Sequence, residues 1–298
     1  MMLIAGTVPI RDFPLTVGPV ALEGEGLVVD GRRIPCGQGT GAMIGAALAA
    51  VDYLKLEAPR VVVAGDIGQG KGSREIYEYL IQKISDISPQ VMVLHYCLPI
   101  MALMRRLCES SQRCADKVLM IADAGSMYAA KAAGLASHFD IFTPDASEMA
   151  FLADPAATHP AYIARHLFDA DMSRTPELVA AAYEHKNAAR LLLVKGATDY
   201  VVDRGDIVAS VDEPDVPALE AVGGTGDTVT GLVAAFVYAG LEPQEAAIIA
   251  ARSNRMAGRF AEAAPATRVG QIIGQFQGVF KEYLCQWSGV CYSAGGQQ

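Results

Sequence analysis

The chain has 298 residues and a formal net charge of -9, with 33 acidic against 24 basic residues. Nucleic-acid binding needs clustered lysine and arginine to neutralise phosphates, so this composition argues against a nucleic-acid partner. Although 52% of the residues are hydrophobic, no uncharged apolar run reaches the roughly 18 residues that a membrane-spanning helix needs. We therefore expect a soluble cytoplasmic protein that does not bind membranes, with residues 1–298 forming one large domain.

Cysteine and histidine spacing does not indicate a metal site or a disulfide framework. The five histidines are scattered, and His95, beside an apolar strand, is interpreted as a hydrogen-bonded core residue. No Cys-x-x-Cys pair occurs, so reduced thiols are expected. The six cysteines are Cys36, Cys97, Cys108, Cys114, Cys285 and Cys291.

The amino-terminal part predicts strands and then a helix of small residues. Residues 1–35 alternate short apolar runs with Gly, Pro and charged residues, which favours strands or a hairpin. Residues 37–54, GQGTGAMIGAALAAVDYL, predict a glycine turn that enters a helix able to pack closely on a sheet or on a neighbouring subunit. The pattern is not Gly-x-Gly-x-x-Gly after a strong strand and no Walker lysine follows, so these glycines alone do not indicate a nucleotide site.

Repeated strand and helix units come next. Apolar strands that alternate with helices predict a parallel sheet covered on both faces. The predicted strands are 60–64, 91–94, 117–121 and 140–142, and the predicted helices are 73–84 and 98–108.

Ligands bind such sheets beyond the carboxyl ends of the strands, so the residues after each strand are the candidates for a site. These segments are GDIGQG at 65–70, ADAG at 122–125 and TPDASE at 143–148. Two helical patterns, 159–168 and 176–186, are separated by the polar stretch DADMSRT and predict a lid or an oligomer surface.

The stretch from 221 to 240, AVGGTGDTVTGLVAAFVYAG, joins a glycine-rich turn to an apolar helix. A helix amino terminus carries roughly half a positive charge and attracts phosphate or a developing oxyanion. Asp227 lies where a carboxylate can accept a proton beside that anion. The alternative is that Asp227 is an ordinary first-turn residue after a common glycine turn.

GGTGD followed by a small-residue apolar helix resembles the anion-hole motif of the ribokinase-like superfamily. The resemblance implies an α/β fold, a three-layer α/β/α sandwich with a mostly parallel central sheet. It further implies that Asp227 is the catalytic base. The phosphate-binding turn would consist of Gly223, Gly224, Thr225 and Gly226.

Over residues 37–263 the chain is similar to the ADP- or ATP-dependent NAD(P)H-hydrate dehydratases. VVVAGDIGQGKGSREIYEYL resembles their glycine-rich segment, IADAGSMYA their Asp-Ala-Asp-Ala-Leu segment and TPDASEMAFL their Thr-Pro-His-x-Gly-Glu-Met segment. LLLVKGATDYVV resembles their Lys-Gly strand. Asp145 and Ser147 replace the family's histidine and glycine, and PALEAV at 217–222 stands where Asn-Pro-Gly-Met is expected.

The resemblance assigns a metal and the nucleotide phosphates to four residues. Glu148 and Asp123 would position Mg²⁺ or its waters, since magnesium commonly uses one or two carboxylates with phosphate oxygens. Lys195 and the Gly196 backbone would approach the phosphates. The structural alternatives are helix-terminal roles for Glu148 and Asp123 and a strand-end role for Lys195.

The remaining implied contacts are weaker. Gly68 and Gly70 of the glycine-rich segment, together with Asp145, are expected at the substrate. Asn254, in the predicted amphipathic helix 243–263, is expected near the nucleotide base. For that helix, which also carries Arg252, Arg255 and Arg259, the competing interpretation is a packing helix with a solvated basic face.

The implied activity is nucleotide-dependent dehydration of NAD(P)H hydrate, with ADP or ATP and Mg²⁺ as cofactors and NADHX or NADPHX as substrate. The hydrate hydroxyl would be phosphorylated and phosphate then eliminated. Two alternatives stay open: a kinase for a sugar, vitamin or thiazole alcohol, and a non-catalytic nucleotide-binding relative. A homo-oligomer is expected, with the helix at 41–54 as a candidate interface and residues 264–298 as a carboxy-terminal helix and tail.

Overall fold

A computed structural model describes residues 1–24, 26–157 and 174–290. The predicted helix at 159–168 and the last eight residues of the predicted tail lie outside the described residues. The strands are β1 (Met2–Val8), β2 (Thr16–Glu23), β3 (Gly26–Val29), β4 (Arg32–Pro35), β5 (Arg60–Gly65), β6 (Val91–His95), β7 (Leu119–Asp123), β8 (Ile141–Phe142), β9 (Leu191–Val194), β10 (Asp199–Asp203) and β11 (Asp206–Val211).

The helices of the described ranges follow the strands along the chain. They are α1 (Gly39–Tyr53), α2 (Lys71–Ile87), α3 (Met101–Ser111), α4 (Ala124–Ala132), α5 (Ala146–Ala153), α6 (Thr175–Glu184), α7 (Thr225–Tyr238), α8 (Pro243–Phe260), α9 (Val269–Ile273), α10 (Phe276–Val279) and α11 (Cys285–Ser288). A π-helical turn, Phe280–Leu284, joins the last two.

The strands form one sheet in the order β11-β10-β9-β8-β7-β6-β1-β5-β2-β3-β4. The six strands from β9 to β5 are parallel, whereas the strands outside them pair antiparallel. Helices cover both faces. The core on one face includes residues of α1, α7, α8 and α9, and the core on the other includes residues of α2 to α6. This arrangement confirms the three-layer α/β/α class.

Strand β1 shows why the inner strands are almost wholly apolar. All seven of its residues, MLIAGTV, are buried, because both faces of a parallel sheet are covered by helices. Residues 1–35 therefore form strands, as predicted, but β1 lies in the middle of the sheet between β5 and β6. Its carboxyl end consequently reaches the edge of the sheet where ligands bind.

Helices α1 and α7 pack directly on each other because both are built from small residues. A Cβ atom on Gly231 of α7 would lie 2.2 Å from the carbonyl oxygen of Met43 in α1, so only glycine permits this approach. The contact brings the amino termini of α1 and α7 to the same region. The helix predicted within residues 37–54 therefore packs inside the fold, against α7. Its role in an oligomer interface stays a prediction.

Cys36, Cys97, Cys108 and Cys114 are free thiols. Cys285 is disulfide-bonded, so the expectation of reduced thiols is wrong for this residue. Within the described ranges, no helix combines the length and apolar character that crossing a membrane requires.

Candidate active site

A cavity of about 700 Å³ lies beyond the carboxyl ends of β7, β8 and β9 and beside the amino terminus of α7. This is the edge of a parallel sheet at which ligands are expected. The sequence-predicted residues that line it are Asp123, Asp145, Glu148, Lys195, Gly196, Thr225, Gly226, Asp227 and Asn254. Residues from four separate motifs therefore meet in one place.

The turn before α7 ends at Gly224, the N-cap of the helix, a position that requires glycine. Gly224 has φ +100, in the left-handed region, and a Cβ atom there would lie 3.2 Å from the Cα of Gln38. The Thr225 hydroxyl lies 3.0 and 3.1 Å from the carbonyl oxygens of Leu219 and Val222, either of which can accept its hydrogen. Gly223 and Gly224 thus shape the turn, and Gly226 and Asp227, in the first turn of α7, line the cavity. First-turn N–H groups of a helix lack intrahelical partners, so an anion can accept from them.

Asp227 is held by two donors, one on each carboxylate oxygen. Gly39 N, at the start of α1, donates to Oδ2 at 2.8 Å, and His95 Nε2 lies 3.0 Å from Oδ1. Burial by itself would raise the pKa of Asp227, but the hydrogen bond and charge of His95, with smaller effects from Lys195 and Gly39, lower that pKa below its ordinary value. Asp227 is therefore a fixed carboxylate able to accept a proton in the cavity.

His95 is a residue beside the site whose role the sequence did not reveal. It is fully buried, as a core histidine would be, yet its ring contacts both Asp227 and the Thr40 hydroxyl. The available signal was its position as the last residue of β6, because residues at the carboxyl ends of parallel strands face the ligand edge. Its partners lie 55 and 132 residues away in the chain, so no local pattern identifies them.

Asp123, at the end of β7, caps α4 and pairs with Lys195. Its carboxylate accepts from Ala124 N at 2.9 Å and from the Thr230 hydroxyl at 2.7 Å. The ammonium of Lys195 lies 3.1 and 3.0 Å from the two carboxylate oxygens. Burial alone would lower the pKa of Lys195, but the carboxylates of Asp123 and Glu148 outweigh it and raise that pKa. Lys195 is consequently a cation beside Gly226, whose Cβ position lies 3.5 Å from its Nζ.

Glu148 and Asp145 form a capping box at the start of α5. Glu148 accepts from the Tyr128 hydroxyl at 2.8 Å and from Asp145 N at 2.9 Å. Burial, followed by the charges of Asp145 and Asp123, raises the pKa of Glu148 to about 8. Ser147, which stands where the dehydratases have glycine, donates to Asp145 Oδ1 at 2.8 Å.

The loop after β9 is fixed by a buried arginine of α8. Arg255 is only 6% exposed and donates to Asp199 and to the carbonyls of Gly196 and Ala197. Arg255 also donates to the carbonyl oxygen of Asp212. All of its hydrogen bonds are therefore made inside the protein, and the interpretation of a solvated basic face is wrong for Arg255. The N–H of Gly196 donates to Asp199 Oδ1 at 3.0 Å, so this N–H is already engaged.

Asn254 lies beside Arg255 and lines the cavity. It is 7% exposed, and its side-chain amide lies 2.8 Å from the Thr228 hydroxyl. The predicted contact with a nucleotide base is geometrically accessible and stays a prediction.

Gly68 and Gly70 do not line this cavity. Their backbone N–H groups donate to Asp66 Oδ1 at 3.0 and 2.9 Å, and Gln69 N does the same at 2.9 Å. The GDIGQG segment is thus a turn that binds its own aspartate. The expected substrate contacts at Gly68 and Gly70 lie outside the cavity in this structure.

Comparison with known proteins gives one family and several relatives. The model of the carbohydrate kinase family, described as NAD(P)H-hydrate dehydratase, matches residues 36–272. An uncharacterized protein of Methanocaldococcus jannaschii is 36% identical over 231 residues, which is 78% of this chain and 95% of that protein. The bifunctional NAD(P)H-hydrate repair enzyme Nnr of Pyrobaculum aerophilum is 35% identical over 155 residues, or 52% of this chain and 28% of the enzyme.

Solved structures agree on the fold. The ADP/ATP-dependent NAD(P)H-hydrate dehydratase of Bacillus subtilis, co-crystallized with ATP and Mg²⁺, has a TM-score of 0.50 at 13% identity, over 94% of this chain and 89% of that one. Phosphofructokinase-2 of Escherichia coli in complex with potassium has a TM-score of 0.52 at 14% identity, over 94% and 99%. At these identities the likeness concerns the fold.

Proposed function

This chain belongs to the carbohydrate kinase family of NAD(P)H-hydrate dehydratases, and on that premise we propose that it uses ADP or ATP to convert NADHX or NADPHX back to the reduced coenzyme. The observation that carries the proposal is the position of Asp227. Its carboxylate is fixed at the amino terminus of α7, in the cavity that also contains Lys195 and Glu148. A base, an anion site and a cation are thereby close together.

The chemistry begins at the hydroxyl of the hydrate. Asp227 takes the hydroxyl proton while the oxygen forms a bond to the terminal phosphorus of the nucleotide, and the bond from that phosphorus to the bridging oxygen breaks. First-turn N–H groups of α7 and the ammonium of Lys195 stabilise the charge on the transferred group. In the second step the carbon–oxygen bond breaks, phosphate leaves with its electron pair, and loss of a proton from the adjacent ring carbon restores the double bond.

Magnesium fits this site at Glu148, with Asp145 beside it. The raised pKa of Glu148 reports burial next to two other carboxylates, and a divalent cation offsets that repulsion. Asp123 is the second carboxylate that could contribute, and like Glu148 it already accepts hydrogen bonds, in its case from Lys195, Thr230 and Ala124. When bound, the ion would neutralise charge on the phosphate oxygens. The chain itself supplies the base, Asp227, and the donors for the phosphate, which are the first-turn N–H groups of α7 and the ammonium of Lys195.

A test of the activity supplies NADHX or NADPHX with ADP or ATP and Mg²⁺ and follows the absorbance of the dihydronicotinamide. We expect nucleotide-dependent recovery of that absorbance. Glu148→Gln should weaken it most at low magnesium, because one carboxylate charge near the ion is lost. Absence of conversion with either nucleotide and either hydrate, by a protein that is folded and stabilised by nucleotide, would refute the dehydratase assignment.

A small-molecule kinase is the second candidate, and the substitutions at Asp145 and Ser147 favour it. These residues stand where the dehydratases have histidine and glycine, and the Ser147 hydroxyl is tied to Asp145 in the cavity wall. A panel of sugar, vitamin and thiazole alcohols, assayed for nucleotide consumption, separates the two functions. Consumption with an alcohol but without either hydrate would select the kinase.

A further inference from the structure

Tyr96 is an aromatic residue of the cavity lining that the proposed chemistry does not use. It follows β6 directly, at the edge of the sheet where ligands bind, and it lines the cavity together with Asp227. Tyr96 is 47% exposed, and of the large exposed hydrophobic residues in the described ranges it alone lines this cavity. An aromatic surface left open inside a concave site is available to a ligand.

The backbone at Tyr96 is strained and is held by two neighbouring elements. Its φ of +52 lies in the left-handed region, which a bulky side chain rarely adopts. The Thr7 hydroxyl of β1 donates to the carbonyl oxygen of Tyr96 at 2.9 Å, and the N–H of Cys97 donates to the Ser126 hydroxyl of α4 at 3.2 Å. A strained conformation persists only where the surrounding structure determines it, and such positions cluster at ligand sites. The fold therefore fixes the conformation that places Tyr96 in the cavity.

The ring of Tyr96 lies next to the proposed base. The imidazole of His95 meets it at an interplanar angle of 79°, with the ring centroids 4.3 Å apart. A Cβ atom on Gly39 would lie 3.6 Å from Cε2 of Tyr96, and the N–H of the same glycine donates to Asp227 Oδ2 at 2.8 Å. The phenol ring and the carboxylate thus border one glycine. A hydroxyl that reaches Asp227 brings the group that carries it beside the ring of Tyr96.

A fixed and partly exposed aromatic ring recognises a flat group by stacking. Two rings in offset contact attract each other beyond the burial of their apolar surface. A side chain that is already in place also loses little conformational freedom when the ligand binds. The nicotinamide-derived ring that carries the hydroxyl of the hydrate keeps a flat, conjugated portion, and it becomes the flat dihydronicotinamide of the product. This ring has the shape that Tyr96 can bind.

We infer that Tyr96 is a specificity-determining residue, which stacks on the nicotinamide-derived ring of the coenzyme so that the hydroxyl of the hydrate faces Asp227. The identity of the ring rests on the proposed function. The position of the stacking surface beside Asp227 rests on the geometry of Tyr96 and Gly39. The contact exists in the bound substrate and in the transition state alike, so Tyr96 contributes to binding and not to proton transfer.

Binding of NADH to the full chain tests the stacking without turnover, and ADP-ribose, which lacks the nicotinamide ring, is the control ligand. Tyr96→Phe keeps the aromatic ring, whereas Tyr96→Leu removes it. We expect the Kd of NADH to rise about tenfold for Leu and to stay within about twofold for Phe, with the Kd of ADP-ribose unchanged in both. The NMR signals of the dihydronicotinamide protons should shift upfield on binding to wild type and Tyr96→Phe, and not on binding to Tyr96→Leu.

Met101→Ala is the matched control variant. Met101 is also 47% exposed but does not line the cavity, so this variant should bind both ligands as wild type does. Equal NADH affinity of wild type and Tyr96→Leu would overturn the inference, as would equal losses of NADH and ADP-ribose affinity or a wild type that binds neither NADH nor NADPH. If Tyr96→Leu does not fold, Tyr96→Gly decides in its place, because glycine adopts a positive φ without strain.

Turnover separates this inference from the proposed function. With either hydrate, Tyr96→Leu should raise KM about tenfold and change kcat by less than about threefold, as expected for a contact made equally in the ground state and the transition state. If wild type converts a hydrate and KM is unchanged in Tyr96→Leu, the proposed function stands and the inference is wrong. If NADH binds through Tyr96 and neither hydrate is converted, the inference stands and the dehydratase assignment is refuted.

Discussion

Two glycine-rich turns of this chain look alike in sequence and are used in opposite ways. GDIGQG leads into α2 and GGTGD into α7, and each places an aspartate next to a helix amino terminus. In the first turn, Asp66 accepts from the N–H groups of Gly68, Gln69, Gly70 and Ser73. In the second, Asp227 binds groups 188 and 132 residues away in the chain. The aspartate of the first turn accepts hydrogen bonds from its own turn and helix, whereas the aspartate of the second accepts them from other elements of the fold.

The difference shows what makes a helix terminus available to an anion. At α2 the carboxylate of Asp66 already occupies the position that a phosphate would take. At α7 the carboxylate of Asp227 instead accepts from Gly39 at the start of α1, so it does not cap its own helix. Thr225, Gly226 and Asp227 accordingly line the 700 Å³ cavity, whereas Gly68 and Gly70 do not.

The largest expected effect comes from exchanging each aspartate for asparagine. Asp227→Asn should lower kcat by about 10²-fold or more, the scale of a lost general base, and leave nucleotide affinity nearly unchanged. Asp66→Asn should leave kcat of the folded enzyme unchanged and lower its thermal stability, because a helix cap contributes about 0.5 to 2 kcal/mol. Steady-state kinetics, nucleotide titration and thermal unfolding measure the three quantities.

Two outcomes would contradict this difference between the GGTGD and GDIGQG turns. Equal loss of nucleotide binding and turnover in Asp227→Asn would mark Asp227 as a structural cap like Asp66. Loss of turnover in a folded Asp66→Asn enzyme would return the GDIGQG turn to the active site, as the resemblance to the dehydratases implied. Nucleotide with Mg²⁺ should raise the melting temperature of both variants, because a ligand that binds the folded state stabilises it.

The next expected effect comes from adding one methyl group to each turn. A Cβ atom on Gly226 would lie 3.5 to 3.7 Å from the side chain of Lys195, an ordinary contact, so the fold should tolerate Gly226→Ala. The methyl group would narrow the approach to the first-turn N–H groups, and we expect the nucleotide Kd to rise about tenfold, or about 1.4 kcal/mol.

Gly70→Ala is the matched variant. Gly70 has φ +78, where an L-residue costs about 1 to 2 kcal/mol, so the melting temperature should fall by roughly 2 to 3 °C without a change in nucleotide Kd. Calorimetric titration and thermal unfolding of both variants separate the effects. If Gly70→Ala weakened nucleotide binding and Gly226→Ala did not, the assignment of the two turns would be reversed.

The sequence predicts those parts of the site that a local pattern determines. The helix after GGTGD, the strand-end positions of Asp123 and Lys195, and the carboxylates of TPDASE all reach one cavity, because parallel strands bring their carboxyl ends to one edge. The parallel sheet covered on both faces followed from apolar strands that alternate with helices, and the three-layer class followed from the resemblance of GGTGD and the helix after it to the ribokinase-like superfamily. These features depend on neighbours within one element or on a general property of parallel sheets.

The parts that the sequence did not predict depend on partners far apart in the chain. His95 contacts Asp227 across 132 residues, and Arg255 pairs with Asp199 across 56 residues. The position of β1 at the centre of the sheet follows from strand pairing, which its own residues do not encode. The two glycine turns could not be distinguished either, since glycine spacing does not show where the N–H groups find acceptors.

The smallest expected effect is a change with pH in the stability that Asp66 contributes through the GDIGQG turn. Burial by itself would raise the pKa of Asp66, but hydrogen bonds from Ser73, Gly70 and Gln69 outweigh it and lower that pKa below its ordinary value of 3.8. A carboxylate with a lowered pKa in the folded state stabilises the fold above its unfolded pKa. That contribution is lost as pH falls through the folded pKa, because the folded state must then take up a proton that the unfolded state already binds.

Asn cannot titrate, so the melting temperatures of wild type and Asp66→Asn should differ by a constant amount near neutral pH and converge below pH 3.8. Thermal unfolding between neutral and strongly acidic pH measures this gap. A gap that stayed constant into acid would mean that the Asp66 carboxylate does not hold the GDIGQG turn closed, and the N–H groups of that turn would then be as available to an anion as those of α7.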